Sequence, residues 1–198
     1  MANISRVTAR IWTGGDLPAH LGTAAMLADL EDIRAAGITH VIDNRLECSD
    51  EGFFDAYAPD LVYVWNGQDD AGQAMPDQWF DDGVEAARAA LADAQARVLA
   101  HCHMGINRGP SMAFAILLAT GSTPVAALDA IRLARPIAAV GYSCDALDWW
   151  HRHSGAAPTL VRRDRAAVAR WHRDNPLDVY RVIRNVRAQE REARALIA

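Results

Sequence analysis

One cysteine and one arginine, six positions apart, are the residues of this chain best placed to do chemistry. Cys102 follows an apolar run that is typical of a buried strand, and Arg108 opens an apolar stretch that is typical of a helix. A loop this short between strand and helix turns its backbone N–H groups towards one centre, beside the positive end of the helix dipole. Gly105 lets the loop turn without a steric penalty, and a guanidinium grips two oxygens of one oxyanion. The segment therefore predicts an anion-binding loop.

The thiol of Cys102 would share this positive environment. A thiol that faces amides, a helix N-terminus and a guanidinium ionises more easily than a free thiol. The resulting thiolate is a good nucleophile held next to the bound anion. The alternative is that Cys102 is an inert, packed cysteine and that Gly105 only makes a turn, because free cysteines are often buried. The coincidence of Cys, Gly and Arg at one strand-to-helix junction favours the reactive interpretation.

The spacing His101-Cys102-x-x-Gly105-x-x-Arg108 resembles the signature loop of cysteine-dependent protein tyrosine phosphatases, in particular their dual-specificity branch. The resemblance covers roughly residues 4–153, including the Gly14-Gly15 turn and the segment 132–137. It implies a phosphatase that forms a phosphocysteine intermediate and needs no metal or other cofactor. The phosphate-binding loop that it implies consists of His103, Met104, Gly105, Ile106, Asn107 and Arg108.

The resemblance also implies a general acid, an aspartate on a mobile loop that precedes the cysteine. Asp70 lies 32 residues before Cys102 and Asp69 lies 33 before it, both in the polar loop 66–75. Asp70 is the first choice and Asp69 the second. The alternative is that both are solvated turn residues, because turns favour aspartate. Asp77 is interpreted as an acid in the first turn of a helix, where the dipole stabilises it.

Further residues are assigned supporting roles. His101 is predicted to orient the loop by donating to backbone near the thiolate, and Asn107 to prop the loop. His103 is predicted to point outward, towards substrate. Glu47 follows a strand and is predicted to pair with Arg108, which would hold the guanidinium in place.

The chain departs from the family pattern directly after the arginine. The family usually has a serine or threonine there, whose hydroxyl eases departure of the sulfur, and this chain has Gly109. Ser111 is the candidate substitute, although a residue two positions further along a helix points elsewhere. Cys48 is either an inert thiol or the partner of Cys102 in a reversible disulfide.

Composition and charge exclude several classes of function. The chain has 198 residues, 51% of them apolar and 23% charged, which suits a folded protein with a real core. It contains no lysine. Residues 151–198 carry 11 arginines against 5 acids, a net +6, whereas residues 1–150 have a net −11. The acidic body argues against nucleic-acid binding, and no apolar run is long enough to span a membrane. Three cysteines and no signal-peptide pattern predict a cytoplasmic protein without a disulfide framework.

Strands and helices alternate along the chain, which predicts an α/β fold with a central, mostly parallel sheet of about four to five strands flanked by helices. We divide the chain into a phosphatase-like catalytic domain, residues 1–154, and an Arg-rich helical extension, residues 155–198. The two predicted helices of the extension are amphipathic. They would pack on the acidic body or in a homodimer, or alternatively bind a phosphorylated partner or an anionic surface.

The sequence therefore predicts an enzyme that hydrolyses phosphate monoesters, foremost phosphotyrosine, with phosphoserine and phosphothreonine of proteins or small phosphomonoesters as other substrates. Two alternatives stay open. One is a phosphatase-like module that binds phosphorylated ligands and turns them over weakly, which the glycine at 109 suggests. The other is a sulfurtransferase of the rhodanese type, against which the five-residue gap before Arg108 argues.

Overall fold

A single five-stranded sheet organises the computed structural model, which describes residues 2–195. The strand order is β1-β2-β5-β3-β4, and every neighbouring pair is parallel except β1 with β2. The strands are β1 (Ile4–Arg6), β2 (Ile11–Gly14), β3 (His40–Arg45), β4 (Val62–Gln68) and β5 (Val98–His101). The predicted fold class, a mostly parallel sheet flanked by helices, is confirmed.

Helices cover both faces of the sheet. They are α1 (Thr23–Ala35), α2 (Glu51–Tyr57), α3 (Asp77–Leu91), α4 (Arg108–Ala119), α5 (Pro124–Ala134), α6 (Ser143–Ser154), α7 (Pro158–Asp174) and α8 (Val179–Ala195). A short 3-10 turn, Ala19–Leu21, precedes α1. Strand β5 lies at the centre of the sheet with all four residues buried. A central parallel strand is covered on both faces, which is why its sequence is continuously apolar rather than alternating.

Two apolar cores result from this arrangement. On one face α1 and α2 pack through Leu30, Ile33 and Phe54. On the other face α4 is almost completely buried among α3, α5 and α6. Phe114 of α4 and Leu128 of α5 are fully buried there. The apolar run that leads away from Arg108 is therefore a core helix, and the start of that helix is held rigidly at the end of β5.

Several predicted boundaries need correction. The helix predicted over 76–96 ends at Leu91, and Pro76 is its N-cap with an extended backbone rather than a residue of its first turn. Proline fits this position because its ring fixes φ at about −65°, and Pro76 has φ −68°. The short helix α2 was not predicted, since Gly52 and only seven residues leave no periodicity to detect.

The helical extension packs differently along its length. Val168 and Trp171 of α7 are buried in the core beside α5 and α6, and the indole N–H of Trp171 donates to Asp129 at 2.7 Å. In contrast, α8 has no fully buried residue. Residues 196–198 of the predicted extension lie outside the described part. The homodimer predicted for these helices stays a prediction, and within residues 2–195 no helix combines the length and hydropathy of a bilayer span.

Candidate active site

The loop between β5 and α4 has the geometry that the spacing predicts. Cys102 is buried directly after β5, and Arg108 is the first residue of α4. Gly105 has φ +64°, and a Cβ there would lie 2.4 Å from the backbone carbon of Gly14. Only glycine satisfies both conditions, because side-chain-bearing residues rarely adopt this backbone conformation and have no room here. The turn after β2 holds the loop in place, since Gly14 O accepts from Cys102 N and His103 O accepts from Asp16 N.

Five successive amides of this loop are unpaired within the described chain. The N–H groups of residues 103–107 donate to no carbonyl or side chain among residues 2–195. Gly105 and Ile106 of this run are buried, and buried backbone amides without partners are rare in folded proteins. A run of unpaired amides at a helix N-terminus can bind an anion.

The guanidinium of Arg108 is fixed on one side and open on the other. Its Nη1 donates to Glu47 Oε2 and to Gln68 O, both at 2.7 Å, and its Nη2 donates to Glu47 Oε1 at 2.6 Å. These bonds use both hydrogens of Nη1 but leave Nε–H and one hydrogen of Nη2 free. Within residues 2–195 the buried Nε has no hydrogen-bond partner. This pair of donors has the geometry to bind two oxygens of one phosphate.

Charge at Arg108 follows from these contacts. Burial lowers the pKa of Arg108, but its hydrogen bonds to Glu47 and the nearby charge of Cys102 outweigh burial and raise it. The same hydrogen bonds lower the pKa of Glu47 to about 2. The pair thus stays ionised over the whole physiological range, and the structure places Glu47 in the predicted position beside Arg108.

The two candidate acids occupy different environments. Asp70 Oδ1 accepts from Asn107 Nδ2 and from the Tyr142 hydroxyl, both at 2.7 Å. Its Oδ2 lies 3.5 Å from Arg108 Nε. Asp69 instead accepts from the backbone N–H of Asp70 and does not line the cavity. Asp70 therefore lies at the loop and lines the cavity, whereas Asp69 is outside the cavity lining.

The histidines that flank Cys102 make contacts with aspartates. His101 Nε2 lies 3.7 Å from Asp43, and among the described residues its Nδ1 has no partner. The predicted donation from His101 to the loop backbone is absent from that part of the chain, and the imidazole Nε2 instead faces Asp43 of the neighbouring strand β3. Burial lowers the pKa of His101. His103 points outward as predicted, and its hydrogen bond with Asp16 at 2.7 Å raises its pKa.

The residues after Arg108 explain the departure from the family pattern. A Cβ on Gly109 would lie 2.9 Å from the carbonyl carbon of His101 and 3.0 Å from Cys102 N. The start of α4 therefore sits closer to the end of β5 than a side chain permits. The hydroxyl of Ser111 accepts from Tyr142 N at 3.2 Å. That bond ties Ser111 to the Tyr142 segment. Within residues 2–195 Ser111 makes no hydrogen bond to the Cys102 sulfur, the role for which it was the candidate.

Arg135 is a site residue that the sequence analysis did not single out. Its buried guanidinium donates to Gly105 O at 2.5 Å, Met104 O at 2.9 Å, Asn3 Oδ1 at 2.8 Å and Ser5 Oγ at 3.3 Å. Burial lowers the pKa of Arg135, and the charge of Cys102 opposes that effect. The segment 132–137 contained this residue, but nothing in the sequence tied it to the loop.

A cavity of about 550 Å³ contains these groups. Cys102, Arg108, Asp70 and Glu47 line it, together with loop residues and four residues of α8: Val179, Tyr180, Ile183 and Arg187. This volume is that of a small-molecule site. Within residues 2–195 no group of His, Cys, Asp and Glu side chains has the geometry of a metal site. Cys48, Cys102 and Cys144 are free thiols, and the disulfide suggested for Cys48 stays a prediction.

Comparison with known proteins identifies the fold. No family model and no curated protein matches the chain. A variant of human DUSP28 matches at TM-score 0.62 and 18% identity, over 79% of this chain and 100% of its own. DUSP15 matches at 0.60 and 19%, over 82% and 95% of the two chains. PTPMT1 in complex with PI(5)P matches at 0.58 and 15%, over 78% and 99%. The resemblance seen in the sequence is thus confirmed at the level of structure: the chain has the dual-specificity phosphatase fold of the cysteine-dependent protein tyrosine phosphatases.

Proposed function

We propose that this protein is a cysteine-dependent phosphatase that hydrolyses phosphate monoesters. The observation that carries the proposal is one cavity in which a buried thiol, unpaired loop amides, the free side of Arg108 and the carboxyl of Asp70 face each other. Each of these groups has a separate task in phosphoryl transfer, and together they need no metal.

The first step forms a phosphocysteine. The loop amides and the Nε and Nη2 of Arg108 bind the three equatorial oxygens and stabilise their charge. The Cys102 thiolate attacks phosphorus, and the bond from phosphorus to the ester oxygen breaks. Protonated Asp70 gives its proton to that oxygen, so the alcohol leaves neutral. Asn107 and Tyr142 both donate to Oδ1, which leaves Oδ2 as the carboxyl oxygen free to deliver the proton.

The second step releases phosphate. Asp70, now a carboxylate, accepts a proton from a water molecule whose oxygen attacks phosphorus. The phosphorus–sulfur bond breaks and regenerates the thiolate, and the proton returns Asp70 to its starting form. The step consumes one water, and the enzyme ends as it began.

An aryl phosphate such as phosphotyrosine is the substrate that the cavity suits best. Part of the cavity lining is apolar and is formed by Ile106, Ala139, Val179 and Ile183. An aromatic leaving group gains from burial against such a lining. Phosphoserine and phosphothreonine of proteins and small phosphomonoesters remain the other proposed substrates.

Hydrolysis of para-nitrophenyl phosphate in the presence of a chelator tests the proposal. We expect turnover, inhibition by vanadate and a radiolabelled phosphoenzyme in acid-quenched samples. Cys102→Ser should abolish the phosphoenzyme, while Cys144→Ser, a matched exposed cysteine outside the cavity, should not. Turnover by Cys102→Ser at the wild-type rate would refute the mechanism. Comparing phosphotyrosine, phosphoserine and phosphothreonine peptides with small phosphomonoesters then ranks the substrates, and thiosulfate-to-cyanide transfer tests the rhodanese alternative.

A second candidate function rests on Gly109. Gly109 has no hydroxyl, and within residues 2–195 the Ser111 hydroxyl accepts from Tyr142 N and makes no hydrogen bond to the Cys102 sulfur; lack of such a bond would slow breakdown of the phosphocysteine. The protein would then be a phosphatase-like module that captures phosphorylated ligands and releases phosphate slowly. A burst of product followed by slow turnover would favour this candidate. Comparing Gly109→Ser with Gly109→Ala separates the effect of the hydroxyl from the strain that both introduce.

A further inference from the structure

Helix α8 lies across the mouth of the cavity that holds Cys102. Near its start, Val179 and Tyr180 line the cavity together with Gly141 and Asn107. Further along, Arg187 lines it as well, and Glu190 lies close enough to His103 for its charge to help raise the pKa of that histidine. The helix also contacts the 3-10 turn Ala19–Leu21. Its path therefore runs from one side of the phosphate-binding loop to the other.

Helix α8 contributes more residues to the cavity lining than to the apolar core. The preceding helix α7 buries Val168 and Trp171 and adds a cation–π contact between Arg132 and the Trp171 ring at 4.9 Å. No residue of α8 is fully buried. Its half-buried face instead presents Val179 and Ile183 to the cavity, and Tyr180 stays 79% exposed at the rim. Because α8 adds little to the core and contributes four residues to the cavity lining, its side chains can contact a substrate bound there.

Arg187 is the charged residue of this wall. It is exposed, it lines the cavity, and among residues 2–195 it forms no ion pair. The two carboxylates that line the cavity both lie beside Arg108, since Glu47 accepts its hydrogen bonds and Asp70 Oδ2 is 3.5 Å from its Nε, and the imidazole of His103 pairs with Asp16. An unpaired guanidinium at the rim of this cavity can bind an anionic group of a ligand whose phosphate occupies the loop.

We propose that Arg187 is a specificity-determining residue, and that the preferred substrate is an aryl phosphate with a second anionic group, a carboxylate or a phosphate, which Arg187 binds. The inference rests on the proposed phosphatase function and names its substrate class. The ester phosphate binds to the loop, the ring lies against Val179 and Ile183, and the second anion reaches Arg187 at the rim. Tyr180 offers its ring to the aryl group from the same helix.

A matched pair of substrates tests this proposal. N-acetyl-phosphotyrosine carries a carboxylate that its carboxamide lacks, and the two share the same leaving group. We expect wild-type kcat/KM to favour the acid over the amide. Arg187→Gln should lower that preference by about fivefold, the effect of one partly exposed ion pair. Arg181→Gln, an exposed arginine of α8 that does not line the cavity, should leave it unchanged.

The outcomes separate the two proposals. An unchanged preference in Arg187→Gln overturns the role of Arg187 while the phosphatase function stands. An equal rise for both substrates shows that α8 only covers the site, which also overturns it. If the wild type hydrolyses neither substrate, the phosphatase function fails, and calorimetric binding of the same pair to Cys102→Ser still tests recognition by Arg187. Benzene-1,4-bisphosphate, compared with phenyl phosphate, then shows whether a phosphate replaces the carboxylate.

Discussion

Replacing Arg135 by methionine should damage phosphate binding although Arg135 does not line the cavity. The guanidinium holds the carbonyl oxygens of Met104 and Gly105, at 2.9 Å and 2.5 Å, and so orients these two peptide units. Their N–H groups are part of the unpaired run that faces the cavity. Methionine keeps the apolar stem of the side chain and removes all four hydrogen bonds.

The magnitude follows from the contacts. Loss of a charged donor to a buried acceptor costs about 1.5–3 kcal/mol per bond. Among residues 2–195 Arg135 has no carboxylate partner, so removing this buried cation recovers part of its desolvation cost. We therefore expect a net loss of about 3 kcal/mol in the free energy of unfolding, or about 6–12 °C in Tm for a chain of this size. We also expect the loop to loosen and the inhibition constant of vanadate to rise at least about tenfold, which is about 1.4 kcal/mol.

The assay pairs urea denaturation with vanadate inhibition of aryl phosphate hydrolysis. Arg132→Met is the matched control, because Arg132 also donates to backbone carbonyls, those of Ala138 and Asn175, but contacts no loop residue. It should lower stability and leave vanadate inhibition unchanged. If Arg135→Met binds vanadate as tightly as the wild type, the loop holds its shape without this residue and our reasoning is wrong.

Three further predictions concern the cavity. Asp70→Asn should lower kcat for alkyl phosphates by about 100-fold, the usual effect of losing a general acid. Asp69→Asn should change kcat less than about twofold. Steady-state rates at pH 6 compare the two variants, and equal losses would reject Asp70 as the general acid. Gly109→Ala should lower the free energy of unfolding by about 1–3 kcal/mol in urea titrations, because its Cβ would lie 2.9 Å from backbone. The pKa of His103 is raised by Asp16 above its ordinary 6.5, so their pair stabilises the fold fully below pH 6.5 and this is lost as pH rises through the raised pKa. His103→Gln should therefore remove a part of Tm that is present below pH 6.5 and declines at higher pH, worth at most about 1 kcal/mol since the ring is half exposed.

The core of the candidate site was predictable because its chemistry is local. Cys102, Gly105 and Arg108 are close in sequence, and the strand and helix that flank them are strongly apolar. Within such a short loop the backbone has few solutions, so spacing alone indicates the geometry. The pairing of Glu47 with Arg108 was within reach for the related reason that a parallel sheet brings the carboxyl ends of its strands to one edge.

The remaining residues depend on long-range packing. Arg135 reaches the loop from the end of α5, and Tyr142 reaches Asp70 across 72 positions of sequence. Neither contact leaves a periodic or compositional trace. The direction of Ser111 was likewise set by Tyr142 N rather than by its place in the motif. For α8 the sequence predicts an amphipathic helix but not which surface its apolar face covers.

The charge pattern accounts for how α8 keeps its place with so little burial. The net −11 of residues 1–150 and the net +6 of residues 151–198 attract each other across the whole surface, and such attraction does not require individual ion pairs. The half-buried residues on one side of α8 then determine which face of the helix lies against the body. The same arrangement places an arginine-rich helix at the mouth of a site whose own rim carries Glu47 and Asp70. A doubly anionic substrate that approaches this acidic body therefore meets the positive charge of α8 at the entrance of the cavity. Arg187 is the arginine of α8 that lines the cavity.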